Sequence, residues 1–190
     1  MKDSSFLPKT LSADMSALQR RLSIAQAAMC IPDGQKRPWD FFCATSFLTA
    51  QSRGVVAERL VCEVLKGNPV SASLDSGDFV LDGRHYEVKS GFTPGKANIR
   101  QVRPWQDVDY IIVHVNVEDR KDCQCFRLTH AQMLAEIDLI GSVSHGTKAA
   151  VETNINREYS ISLSTRGLRP SQTQARWEDY RDPDLEALLF

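Results

Sequence analysis

The sequence predicts an α/β fold, and three stretches carry that expectation. Residues 78–89 read Asp-Phe-Val-Leu-Asp-Gly-Arg-His-Tyr-Glu-Val-Lys, two short strands joined at Asp82-Gly83. Asp-Gly is a favoured pair for a two-residue type I′ hairpin turn. Residues 53–66 carry Val55, Val61, Cys62, Val64 and Leu65 at helical spacing and stop at Gly67. Residues 110–117 are β-rich, and their first half is apolar at every position, as in a strand covered on both faces.

A chain of 190 residues with 42% apolar and 25% charged residues is expected to form one soluble domain. The formal net charge of −1 excludes a globally basic nucleic-acid binder, so such a partner requires a local basic surface. Five cysteines, an odd number without a CxxC pair, argue against a disulfide framework or a structural zinc site. Cys123 and Cys125 would share one face of a strand, a poor geometry for a common zinc. There is no apolar leader and no run of membrane-spanning length, so the expected location is the cytoplasm, with no membrane partner. No GxxxxGK[ST] appears, so no nucleotide cofactor is expected, and His85, His114, His130 and His145 show no HxH or HExxH spacing.

The remaining elements follow in order. Ser12 is placed to cap a helix over residues 13–29. Its seam of Leu11, Met15, Leu18, Leu22, Ala25 and Met29 suits packing on its own domain or a dimer contact. Pro32, Asp33, Gly34 and Pro38 break the chain before an aromatic, buried helix over residues 39–49. A short strand is expected over 69–73 and another over 123–128. Thr129 then caps a helix over 130–140. Residues 159–164 alternate as a late strand, and Trp177, Tyr180, Leu185, Leu188, Leu189 and Phe190 predict a docked C-terminal helix. Residues 98–106 are ambiguous, with Pro104 ending any helix before it.

The hairpin carries the chemistry. In a two-residue register Leu81 faces Arg84, Val80 faces His85, Phe79 faces Tyr86, and Asp78 faces Glu87. Phe79, Leu81, Tyr86 and Val88 then share a largely apolar face with Arg84, while Asp78, Val80, His85, Glu87 and Lys89 share the other. Opposed like charges destabilise a sheet. A divalent cation would remove the repulsion, and an adjacent ammonium would orient a water, as metal-assisted phosphodiester hydrolysis requires. Glu58 lies within the helical stripe, where a carboxylate is costly unless paired or metal-bound. Either it pairs with Arg59 or Arg53, or it completes an acidic cluster with Asp78 and Glu87. A solvated surface hairpin is the alternative for the whole feature, and a three-residue loop with a bulge would shift the register.

A helix with Glu58, a short strand, a hairpin with Asp78 and Glu87-Val88-Lys89, a basic segment and a central strand resemble, in that order, the PD-(D/E)xK nuclease superfamily. The match covers residues 53–117. It implies a restriction-endonuclease-like αβββαβ core with a mixed central sheet flanked by helices. It further implies Mg²⁺, with Mn²⁺ as a substitute, held by Asp78, Glu87, the Val88 carbonyl and, in support, Glu58. Lys89 would position the attacking water. The closest style is a type II restriction endonuclease, a homodimer acting on double-stranded DNA. Residues 11–50 and 165–190 would add dimer or substrate contacts. Gly77 stands where the family often has proline, and Asp75 rivals Asp78 as the first aspartate. Lys96, Arg100, Gln101, Arg103, Arg166 and Arg169 are the candidate DNA contacts. The competing classes are a non-catalytic DNA-binding or protein-interaction module, and a repair, exonuclease or mobile-element nuclease of the same fold.

Overall fold

Helix α1 (Pro38–Ala44) opens the described part of the chain, which comprises residues 38–71, 76–143, 158–164 and 172–190 of a computed structural model. The expected helix over 13–29 with its seam, Cys30, Asp75, the loop at His145, Arg166 and Arg169 lie outside these residues. Phe42 of α1 is fully buried, with Trp39 and Phe41 packed around it. The helix stops at Ala44, and Phe47 is left 71% exposed, so the expected buried helix over 39–49 is cut short. The interruption has a local cause. Thr49 accepts a hydrogen bond from the Ser52 N–H and caps a new helix, α2 (Ala50–Val64).

Helix α2 buries Ser52, Val56, Ala57, Leu60 and Val61. That face is rotated from the predicted stripe: Val55 and Cys62 are half-buried, and Glu58 sits half-buried on its flank. Small residues explain the rotation. Ser52 and Ala57 let the helix approach the sheet closely, whereas a count of large apolar side chains passes over them.

Five strands form the central sheet: β1 (Asn68–Pro69), β2 (Phe79–Leu81), β3 (Arg84–Gly91), β5 (Asp109–His114) and β6 (Gln124–Leu128), in the order β1-β2-β3-β5-β6. All neighbours are antiparallel except β3 and β5, which run parallel. The hairpin register is the predicted one, with Leu81 opposite Arg84, Val80 opposite His85 and Phe79 opposite Tyr86. Asp82 and Gly83 both have positive φ, at 50° and 78°, as a type I′ turn demands. Phe79 and Tyr86 stack across the pair at 5.3 Å between ring centroids.

A second sheet contains β4 (Lys96–Val102), β7 (Ser142–Val143) and β8 (Tyr159–Ser164), in the order β4-β8-β7. The ambiguous basic segment is therefore a strand. Ala97, Ile99 and Val102 face inward at a period close to two, which a helix over these residues would scatter. It also departs from the expected αβββαβ order. Between β3 and its parallel neighbour β5 the chain runs through a strand of another sheet rather than a helix. The coarser expectation, an α/β fold with a mixed sheet and helices, holds.

The central sheet divides the interior into two cores. Ile111 and Val113 of β5 join Val88, Phe79, Phe42 and the buried face of α2 on one side. Tyr110 and Ile112 join Ala97, Ile99, Val102, Ile161 and Leu163 on the other. Alternation along one strand thus feeds both layers, which is why residues 110–113 are apolar throughout. Helix α3 (His130–Ile140) starts at Thr129 with a reciprocal cap between Thr129 and Gln132. The C-terminal segment forms two short helices, α4 (Gln172–Glu178) and α5 (Pro183–Leu189), where one was expected. Asp182 and Pro183 cause the split: proline opens α5 and the Asp182 carboxylate accepts from the Leu185 N–H at 3.0 Å. Glu136 of α3 is fully buried and ties this segment down. It accepts from Arg176 and Trp177, each at 2.8 Å, and from Tyr180 at 3.2 Å. Those donors hold its carboxyl below the usual range in spite of burial.

Candidate active site

The site lies where β2 stops and β3 continues. The ladder between them ends at Phe79 and Tyr86. One residue earlier, the Asp78 N–H still donates to the Tyr86 carbonyl at 2.7 Å, while the Asp78 carbonyl accepts from the Val70 N–H at 2.9 Å. Gly77 turns the chain into this position with φ +82°, and a Cβ there would lie 2.5 Å from the Tyr86 oxygen. Proline, fixed near −65°, cannot occupy it, which accounts for the glycine where the resemblance leads one to expect proline.

Alternation along β3 directs the polar backbone of Val88 to the side that β2 has vacated. The Asp78 side chain fills the vacancy, accepting the Val88 N–H at 2.7 Å. The carboxylate therefore lies in the plane of the sheet, in place of a strand carbonyl. This differs from the simple facing pair: Asp78 is held against the backbone two residues beyond Tyr86 rather than standing opposite Glu87 on the ladder. The Val88 side chain is buried in the first core.

Glu87 and Lys89 project from the opposite face of β3, and their Cα atoms pair with those of Tyr110 and Ile112. They form an ion pair, Lys89 Nζ to Glu87 Oε1 at 2.6 Å, with only 16% and 14% of the side chains exposed. Glu58 approaches from α2, on the Val88 side of the strand. The flank of α2 is close here: a Cβ on Gly54 would stand 3.9 Å from both Glu58 Oε1 and the Ser90 hydroxyl. Neither Arg53 nor Arg59 forms an ion pair with Glu58 among the described residues.

Electrostatics join the four side chains. Burial, then the charges of Glu87 and Glu58, push the Asp78 carboxyl up to about 7, against the opposing Val88 hydrogen bond and Lys89. Burial and then Glu87 also raise Glu58, with Lys89 and Arg59 opposing. Tyr110 is pushed up to about 12, by burial first and Glu87 second. Three carboxylates thus act on one another with a single ammonium among them, an excess of negative charge on oxygen ligands that suits a hard divalent cation. Among the described residues, no three His, Cys, Asp or Glu side chains converge tightly enough to hold a metal ion as they stand. Two of the three carboxylates are otherwise engaged, Asp78 with the Val88 N–H and Glu87 with Lys89. The donor chemistry fits such an ion, since each of these two carboxylates keeps a second oxygen free of these partners.

The candidate substrate contacts separate into two groups. Lys96, Arg100 and Gln101 are exposed on β4. A register shift between Ile99 and Val102 adds a residue there, with Gln101 at φ +56°, so that Arg100 and Gln101 both point outward. Arg103 is engaged: its Nε lies 3.0 Å from Glu158. His85 is half-buried, its Nδ1 2.7 Å from the Ser76 carbonyl oxygen. His114 is fully buried, and Cys123 and Cys125 are buried thiols, raised by burial first.

Reading the residues in sequence missed two contributors. Gly54 and the Ser90 hydroxyl border the Glu58 carboxyl where α2 meets β3, and neither a lone helical glycine nor a strand serine carries a recognisable signal. No protein-family model matches the chain, and no curated protein sequence matches it. Among the described residues no helix is long and apolar enough to cross a membrane.

Proposed function

We propose that the chain is a Mg²⁺-dependent endonuclease of the PD-(D/E)xK kind, hydrolysing phosphodiester bonds of double-stranded DNA in the manner of a type II restriction enzyme. The observation that carries this is the junction of β2 and β3. Three half-buried carboxylates, from a helix, a loop and a strand, repel one another around one lysine, and the chain retains the conflict at a cost in stability. Asp78 and Glu87 would hold the ion, with Glu58 in support and Mn²⁺ as a substitute. The Val88 carbonyl projects to the same side of β3 as its N–H and adds a neutral donor. Bound there, the ion supplies charge stabilisation to the scissile phosphate and the leaving oxygen.

The protein's own groups have separate tasks. Lys89, fixed by Glu87 and shielded from solvent, orients the attacking water toward phosphorus. Tyr110 flanks Glu87 as a neutral phenol. The exposed face of β4, with Lys96, Arg100 and Gln101, offers donors to the phosphate backbone. One such site per chain makes one cut, so cleavage of both strands calls for two copies, in keeping with a homodimer.

The test is incubation of purified protein with a defined plasmid and Mg²⁺, followed by sequencing of the ends. Discrete fragments support site-specific cutting, and a smear supports a non-specific or exonucleolytic enzyme of the same fold. Intact plasmid under Mg²⁺ and Mn²⁺ refutes the proposal and favours a binding module.

A further inference from the structure

We propose that Arg53 is a substrate-phosphate contact, placed beside the carboxylate cluster by an aromatic clamp. The inference rests on the nuclease reading and adds a residue to it. Arg53 sits in the first turn of α2, next to Gly54, where the helix lies against Ser90 of β3 and its own Glu58 side chain. Its guanidinium lies over the ring of Phe92, 4.4 Å from the centroid. Phe92 follows the end of β3, three residues past Lys89, or about 10 Å along an extended chain. The ring is itself held, packing on the fully buried Phe42 with centroids 6.3 Å apart.

Stacking uses the face of a guanidinium and leaves its in-plane donors at the edge. The Arg53 Nε is buried and has no hydrogen-bond partner among the described residues. Such an orphan is unusual for arginine, whose buried donors are normally satisfied. The obvious partner, Glu58, does not take it. The cations that act on the Glu58 carboxyl are Lys89 and Arg59. The contrast with Arg176 is direct, because that guanidinium donates through Nε and Nη2 to Glu136 and serves to dock the C-terminal segment. Arg53 is instead held over Phe92 at the end of the strand that carries Lys89, with its Nε buried and its two terminal nitrogens in no ion pair among the described residues. A planar fork of donors beside a phosphodiester-cleaving centre matches phosphate oxygens. The ligand is a phosphate of the nucleic-acid backbone, one or two nucleotides from the bond cleaved.

The test measures KM for Mg²⁺-driven plasmid cleavage across a series of salt concentrations, for wild type, Arg53→Gln and Arg53→Lys, with melting curves alongside. Losing one phosphate contact should raise KM about tenfold at low salt and flatten the log–log salt dependence by about 0.9. Arg53→Lys should keep the slope, because charge is retained, and still raise KM, because the fork and the stack are lost. If Arg53→Gln does not fold, the lysine variant decides alone: a KM equal to that of wild type overturns the proposal. A wild type that cleaves, with Arg53→Gln showing the same KM and the same slope, overturns the proposal and leaves the nuclease reading intact. A wild type that leaves the plasmid whole refutes that reading and this inference together.

Discussion

Replacing Asp78 by asparagine separates the cost of the site from its use. The asparagine amide keeps an oxygen to accept the Val88 N–H, which Asp78 receives at 2.7 Å, and removes the charge that Glu87 and Glu58 oppose. The Asp78 carboxyl moves from 3.8 to about 7 in the folded chain. At 1.36 kcal/mol per pH unit that corresponds to about 4 kcal/mol, which solvent relaxation at a half-buried site reduces to roughly 2–4 kcal/mol. The sign follows from the direction of the shift. Because the folded value is raised, the stability contributed by protonated Asp78 is complete below about pH 3.8 and is lost as pH rises through about 7. Asp78→Asn mimics the protonated form at every pH. Without metal, its melting temperature should match wild type near pH 4 and exceed it at pH 8. For a chain of this size the excess should be roughly 5–15 °C. Adding Mg²⁺ should raise the wild-type melting temperature and leave the variant unchanged, because only the native carboxylate gains a ligand. The measurement is a set of thermal melts from pH 4 to pH 8.5 in chelator and in Mg²⁺. A difference between the two proteins that is constant across that range, or a variant less stable at pH 8, would show that Asp78 is not strained by its acidic neighbours.

Other substitutions test the remaining parts. Lys89→Ala should reduce Mg²⁺-dependent cleavage by about 10²–10⁴-fold, read by single-turnover kinetics, with Mg²⁺-induced thermal stabilisation retained; unchanged cleavage would remove Lys89 from the chemistry. Glu136→Ala leaves the donors of Arg176, Trp177 and Tyr180 without their acceptor. It should cost about 2–4 kcal/mol in urea unfolding, since it leaves the buried Trp177 N–H without an acceptor and Arg176, a third exposed, without its partner, and a loss below about 1 kcal/mol would contradict that role. Gly67→Ala places a Cβ 2.3 Å from the Phe79 ring. The expected cost is about 1–3 kcal/mol, together with a changed near-ultraviolet signal from the stacked Phe79 and Tyr86; a neutral variant would mean that the ring shifts freely.

The hairpin, the capped helix after Thr129, the strand over 159–164 and the two-sided burial of β5 were legible without coordinates. Each depends on a short-range rule: a turn that fixes register, a cap that fixes a start, or a period that fixes a face. The identity of Glu87 and Lys89 as neighbours on one face followed from the same rule of two. Their contact at 2.6 Å bears it out. The stripe of α2 was legible only in part, because small buried residues such as Ser52 and Ala57 do not announce themselves by size. The C-terminal segment was predicted as one helix, yet Pro183 with the Asp182 cap divides it.

What the sequence alone determined is therefore local: that Asp78, Glu87 and Lys89 stand on a tight hairpin, and that Glu58 rides a helix before it. What only the tertiary structure decided is how these side chains meet. β2 ends one residue short of Asp78, so that carboxylate swings into the sheet plane and takes the Val88 N–H. Helix α2 packs on β3, which brings the charge of Glu58 to bear on Asp78. β4 enters a second sheet, which turns a basic stretch of uncertain form into an outward face carrying Lys96 and Arg100. The physical reason is common to all three. Turn and period are set by residues a few positions apart, whereas strand ends, helix approach and sheet partners are set by packing between segments distant in the chain.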